Sequence, residues 1–216
     1  MIPILYEDGE ALVIDKPARL PLERPRAGGA SLADRISELR LGFQRDPVPV
    51  HRLDTDTSGC LLLARNPKAL KRFNKAFEDR VVEKRYLGIV EGTLNDSEGT
   101  ITLSLSKISS AEAGWRMIPA KKGKPATTHW RQIASAGGLT LVEFRPETGR
   151  THQIRVHAAS GLGAPLAGDP VYGNRATAPR TMLHAAGLVV PREGKSPVVA
   201  LSPLPPDFAQ LGFAHE

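Results

Sequence analysis

The chain of 216 residues contains a single cysteine, Cys60, so no disulfide can close within it, and a reducing compartment is expected. No apolar run comes near the roughly 20 residues that span a bilayer. Residues 1–8 lack the charged-then-apolar pattern of a secretory signal. A cytoplasmic protein without a membrane partner is therefore expected. There is no internal repeat and no low-complexity tract. Ser58 precedes Gly59, but no Gly-x-Ser-x-Gly surrounds it, which argues against a serine nucleophile on a strained elbow. Gly28-Gly29 lacks the Lys-Ser/Thr that completes a phosphate-cradling loop. His152 and His157 lie five residues apart, off a common helix face, and no further His/Cys cluster supports them. No metal site is expected.

What the chain does have is positive charge. Twenty-nine Lys and Arg stand against 23 Asp and Glu, a net +6 and a pI near 9.7. Such a balance favours polyanions, of which nucleic acid is the commonest in a cytoplasm. No Pro/Gly/Ser-rich linker divides the sequence, and a single domain over residues 1–216 is expected, long enough to bury a real core.

Strands outnumber helices in the pattern. Residues 4–6 and 11–15 flank an Asp8-Gly9 turn, and residues 60–64 form a continuous apolar run that suits a central strand. Residues 83–92, 100–105, 126–134, 139–144 and 183–190 also read as strands, with a basic turn at Lys121-Lys122-Gly123-Lys124. Ser31 suits the N-cap of a helix carrying Leu32, Ile36 and Leu39. Asn66-Pro67 opens a second helix with Leu70, Phe73 and Phe77 on its core face and Lys68, Lys71, Arg72 and Lys75 on the others. Residues 151–160 read as a third, capped by Thr151 and stopped by Gly161. The expected fold class is α+β, with a mixed, mostly antiparallel central sheet flanked by helices and loops.

Two polar clusters interrupt this pattern. The first, residues 51–59, places an Arg, two carboxylates, hydroxyls and a Gly immediately before the apolar strand. By composition alone it is a turn, and Asp54 and Asp56 are open candidates for an acid/base pair. The second, residues 147–157, holds two arginines, two histidines, a Gln and a Thr at a strand-to-helix junction. His157 suits capping and local hydrogen bonding.

Together the clusters resemble the signatures of the RluA-type pseudouridine synthases. His51-Arg52-Leu53-Asp54-x-x-Thr57-Ser58-Gly59 resembles the catalytic motif, and Thr148-Gly149-Arg150-Thr151-His152-Gln153-Ile154-Arg155-Val156-His157 the second signature. Lys84-Arg85-Tyr86, the run from Gly168 to Gly173, and Leu183-His184-Ala185 follow in the family's order. The match extends from residue 4 to about residue 208.

The resemblance implies an RNA-modifying isomerase with the pseudouridine synthase fold and no cofactor. In this family the N-glycosidic bond of a uridine breaks, the uracil turns, and C5 joins C1′. The resemblance places the essential carboxylate on Asp54, the residue stacking on uracil on Tyr86, and the arginine that holds the carboxylate ionised on Arg155. Arg52 matches a residue facing the RNA, Ile154 and Leu183 match apolar positions of the uracil pocket, and Arg150, His152 and Gln153 match RNA-binding or supporting positions. It implies tRNA or rRNA as partner and a monomer with no obligate protein partner. An N-terminal S4-type domain, found in some relatives, is not expected.

The sequence departs from the pattern in places. Arg19 stands where the family commonly has Gly, Cys60 stands at an aliphatic position, residues 158–164 run one residue longer, and Ala164 replaces a common His. Two other classes stay in view: an RNA-binding or RNA-chaperone protein on the same fold without turnover, and a two-carboxylate glycoside hydrolase using Asp54 and Asp56.

Overall fold

The structure is a computed structural model that describes residues 2–110 and 114–214. In chain order its strands are β1 (Ile4–Glu7), β2 (Ala11–Lys16), β3 (Val48–Pro49), β4 (Ser58–Ala64), β5 (Glu83–Glu91), β6 (Glu98–Ser110), β7 (Gly114–Pro119), β8 (Lys124–Ala136), β9 (Leu139–Pro146), β10 (Leu183–Arg192) and β11 (Lys195–Leu201). The α-helices are α1 (Pro67–Glu78), α2 (Gln153–Val156) and α3 (Pro206–Gln210). This is the expected α+β class with mostly antiparallel pairing. The contacts divide the chain into two compact units, Met1–Lys84 with His184–Pro203, and Arg85–Leu183 with Leu204–Glu216.

In the first unit β2 lies between β1 and β4, antiparallel to both, with Leu12 opposite Leu63 and Ile14 opposite Leu61. The other pairs are antiparallel too, except that β4 runs parallel to β10 where Ser58 meets His184 and Gly59 meets Ala185. β4 is buried along its whole length, which is why its sequence is apolar without alternation. The β1–β2 turn is closed by Asp8, whose Oδ1 accepts from the N–H groups of Glu10 and Ala11, both at 2.8 Å. Asn66 caps α1 as expected, its Oδ1 accepting from Ala69 N–H at 2.8 Å, and Pro67 takes the first helical position. Phe73 faces the core. Burying a side chain of that size contributes about 1.5–3 kcal/mol.

The segment after Ser31 departs from the expected helix. Ala33–Leu39 is a tighter 3-10 turn, and Ser31 serves it by exchanging hydrogen bonds with Asp34.

The second unit is an antiparallel sheet in the order β5-β9-β8-β6-β7. One face carries the apolar cluster of Val90, Val142, Phe144, Ile154, Leu166 and Leu183, with Tyr86 packed against it. A side chain at Gly88 would crowd this cluster. A Cβ would lie 2.8 Å from Leu166 Cδ2 and 3.0 Å from Phe144 Cε2.

Residues 151–160 also differ from expectation. The regular helix is only α2, and His157–Leu162 continues it as a π-turn. Its start is not capped by Thr151. Instead His152 enters in the left-handed region at φ 53°. No described helix is long and apolar enough to cross a membrane.

Candidate active site

The two signatures fall in different units, and each is held by its own unit. In the first unit Asp54 begins a tight turn, its carbonyl accepting from Thr57 N–H at 3.1 Å. The turn is fastened from below by Lys16. This lysine is fully buried, and its ammonium donates to the carbonyls of Pro17, Leu20 and Thr55 at 2.8, 2.9 and 3.1 Å. A buried charge is tolerated only when its hydrogen bonds are met, and three carbonyls meet the three donors of an ammonium. The clamp acts on the residue directly after Asp54.

The far end of the turn is seated on β10. Gly59 has φ 104°, and a Cβ there would lie 2.3 Å from Ala185 O. Ser58 Oγ lies 2.9 Å from His184 Nδ1, and His184 Nε2 lies 3.5 Å from Ser202 O. Since a carbonyl only accepts, Nε2 carries the proton and Nδ1 accepts from Ser58. His51, at the other end of the motif, accepts from Leu62 N–H through Nε2 at 3.0 Å and stacks on Phe77. Burial lowers its pKa to about 4, helped by the charge of Lys84, which suits a ring nitrogen that must remain an acceptor.

Asp54 and Asp56 are half-buried and Arg52 is exposed. Arg19 has φ 63°, in the left-handed region that glycine adopts most easily. The structure thus shows why glycine suits that position. A side chain there strains the backbone by about 1–2 kcal/mol. Cys60 behaves as an inert core residue. Burial pushes its thiol up to about 12, and Sγ faces Ala200 O at 3.7 Å.

In the second unit the signature loop is organised by Gln153. Its Oε1 accepts from Thr148 Oγ1 at 2.7 Å and Arg150 N–H at 2.9 Å. Its Nε2 donates to Thr127 O and Thr128 Oγ1, both at 3.0 Å. Gln153 is buried, and any RNA contact would cost it one of these bonds, so its place in the structure is a tie between the loop and β8. Arg150 is half-buried, and its Nε donates to Pro125 O at 3.2 Å.

Arg155 is buried and forms a two-point pair with Asp169, Nε to Oδ2 at 2.7 Å and Nη2 to Oδ1 at 2.8 Å. Burial pushes the Asp169 carboxyl up. The guanidinium and the N–H groups of Val171 and Tyr172 outweigh it, and the pKa lies below the usual carboxylate range. The Arg155 guanidinium also lies over the Tyr172 ring at 5.1 Å. Neither Asp169 nor Tyr172 receives a role from the sequence alone, although both lie in a segment that resembles the family. They form the platform on which Arg155 is presented.

The structure brings Tyr86, Ile154 and Leu183 together in one apolar cluster. Leu183 is fixed from behind by Arg180, whose Nη1 donates to its carbonyl at 3.0 Å. His157 is a correction. It is fully buried, and neither ring nitrogen has a hydrogen-bond partner, so it does no capping. Burial alone lowers its pKa to about 4.

The arrangement of elements and signatures defines a class. The fold resembles that of the human RNA pseudouridylate synthase domain containing 1 protein, with a TM-score of 0.76 and 29% identity over 94% of this chain and 83% of that one. The human domain containing 4 protein shares the fold at a TM-score of 0.79. Residues 10–160 match the sequence family described as RNA pseudouridylate synthase. An uncharacterized RNA pseudouridine synthase of Zymomonas mobilis is 52% identical over 97% of both chains. Ribosomal large subunit pseudouridine synthase D of Nitrosomonas europaea is 37% identical over 97% of this chain and 64% of its own length. The chain belongs to the RNA pseudouridylate synthase family, in its RluA-type branch. It is an RNA pseudouridine synthase, an isomerase.

Proposed function

We propose that this enzyme isomerises uridine in structured RNA through the carboxylate of Asp54, acting as a cofactor-free, single-domain monomer in the cytoplasm. Ribosomal RNA is the first substrate to test and tRNA the second. The ribosomal reading is supported by the names of relatives from Nitrosomonas europaea and Zymomonas mobilis, 37% and 36% identical.

The observation that carries the reading is how each unit prepares its residues. One holds Asp54 on a turn clamped by a buried ammonium. The other gathers Tyr86, Ile154 and Leu183 in one apolar cluster and holds a buried arginine paired with Asp169. In the proposed chemistry Asp54 acts on the ribose, either by attacking C1′ or by taking the proton from C2′. Both routes need an ionised carboxylate away from bulk water. The freed uracil stacks on Tyr86, lined by Ile154 and Leu183, and turns until C5 faces C1′. Arg155 supports the ionised form of the carboxylate electrostatically. Arg52, Arg150 and His152 meet the RNA, whose target base must first leave its stack.

Site-resolved pseudouridine mapping of total RNA with and without the protein tests the reading and identifies the target. Asp54→Asn should abolish the product while leaving the melting temperature and RNA affinity close to wild type. Near-normal turnover by that variant would remove Asp54 from the mechanism. Retained binding with no turnover by the wild type would instead favour a chaperone role on the same fold.

A further inference from the structure

The β6–β7 hairpin carries a large aromatic side chain that the reaction described above does not use. Trp115 is 46% exposed, an unusual state for an indole, and its ring stacks on His152 with centroids 4.9 Å apart. His152 is in turn fixed by Tyr172. The Tyr172 hydroxyl accepts from Met117 N–H at 2.9 Å, which leaves its proton for His152 Nδ1 at 3.0 Å. The hairpin is thus already fastened to the signature loop through Met117 and Tyr172. Anchoring does not explain why half of the indole is left in solvent.

The charge of this stretch of sequence is one-sided. The described residues from 99 to 130 include Lys107, Arg116, Lys121, Lys122 and Lys124 and not one carboxylate, and Glu112 is the only acidic residue of that stretch of sequence. Lys107 Nζ lies 5.0 Å from the Trp115 ring centroid. A cation-rich hairpin with an exposed ring is a combination that takes single-stranded nucleic acid: cations follow the phosphates and the ring takes a base face.

We propose that Trp115, backed by His152, is a base-stacking residue that receives an unpaired nucleobase of the substrate RNA other than the uridine being isomerised. The proposal rests on the RNA-modifying activity of the family. It makes Trp115 a determinant of which RNA is accepted rather than of the chemical step.

Tryptophan fluorescence tests it directly, because Trp130, the second of the chain's two tryptophans, is buried in the β8 core. A short single-stranded oligoribonucleotide should quench the wild-type emission, and the quench should vanish in W115F. Loss of one base stack in W115L should weaken binding roughly tenfold, with the smaller loss in W115F, and raise KM without lowering kcat. An oligomer with abasic sites keeps the phosphates and removes the bases. It should quench weakly, and quenching equal to that of the intact strand would overturn the proposal. W115L that binds and turns over like wild type would also overturn it, whatever its melting temperature, because bulk without a ring would then suffice. Product formation by the wild type is scored on the same samples. Its absence would strike at the isomerase reading, whereas a missing quench with turnover intact would strike at Trp115 alone.

Discussion

The turn that carries Asp54 and the segment that carries Arg155 are both tied down, but by different means. The first is held largely through its backbone, with side-chain ties from Ser58 to His184 and from His51 to the Leu62 N–H. Lys16 grips three carbonyls, and Gly59 lets β4 approach β10 more closely than any side chain allows. The second is held through side chains, by the Gln153 amide and by the Arg155–Asp169 pair. The residue proposed to react is thus placed by a grip on the peptide beside it. A supporting guanidinium gains from a fixed counter-charge that aims it.

The contrast can be broken from either side. The largest effect should come from Asp169→Ala. It leaves Arg155 buried without its partner and should cost about 3–5 kcal/mol in denaturant unfolding. Replacing Arg155 with Met in the same chain should recover part of that loss, and strict additivity would show that the two do not act as a pair. Gly59→Ala comes next. The added carbon meets backbone rather than a movable side chain, so about 2–4 kcal/mol and a large fall in kcat are expected together. An alanine variant with wild-type turnover would show that the seat on β10 does not position the motif.

Two histidines whose pKa is lowered by burial sharpen the comparison, since each unit has one. His51 and His157 both titrate at about 4 in the folded chain, below the 6.5 of an ordinary histidine. The unfolded chain therefore takes up protons first as the pH falls. The stability from keeping these rings neutral is complete above pH 6.5 and declines toward pH 4. The two should part company on substitution. His157→Leu removes a buried group without partners and should add about 1 kcal/mol at pH 7. His51→Leu strips Leu62 N–H of its acceptor and should cost about 1–3 kcal/mol. Melting curves at pH 7 and pH 5 distinguish them. The smallest effect belongs to Arg19→Gly. It relieves a left-handed backbone and should stabilise the first unit by up to about 1 kcal/mol, net of the entropy that glycine adds to the unfolded chain.

Much of the fold was legible from local signals. Asp8-Gly9, Asn66-Pro67 and the unbroken apolar run of β4 each point to one structure. The elements that escaped are those without such a signal. β7 is mostly exposed and has no alternation to read. β11 contains Pro197, which argues against a strand unless it lies at an edge, and among the described residues β11 pairs only with β10. The π-turn after α2 inserts its extra residue where helical periodicity expects none. At the site, composition alone left Asp54 and Asp56 indistinguishable, and only resemblance to a family separated them. Asp169 escaped because its partner lies 14 residues away across a bend that no spacing rule describes.

The seat of the Asp54 turn has a further consequence for how the protein is made. Ser58 and His184 are 126 residues apart in the chain. Drawing the ends of so long a loop together costs about 4 kcal/mol of chain entropy. During synthesis the first signature emerges early, yet its resting place is translated only after residues 85–183. The nascent chain can complete the β-sheet of the second unit while the first still awaits its last strands, β10 and β11. A ribosome-bound chain stopped before residue 184 is therefore expected to carry every residue of the first signature and to have no seat for it.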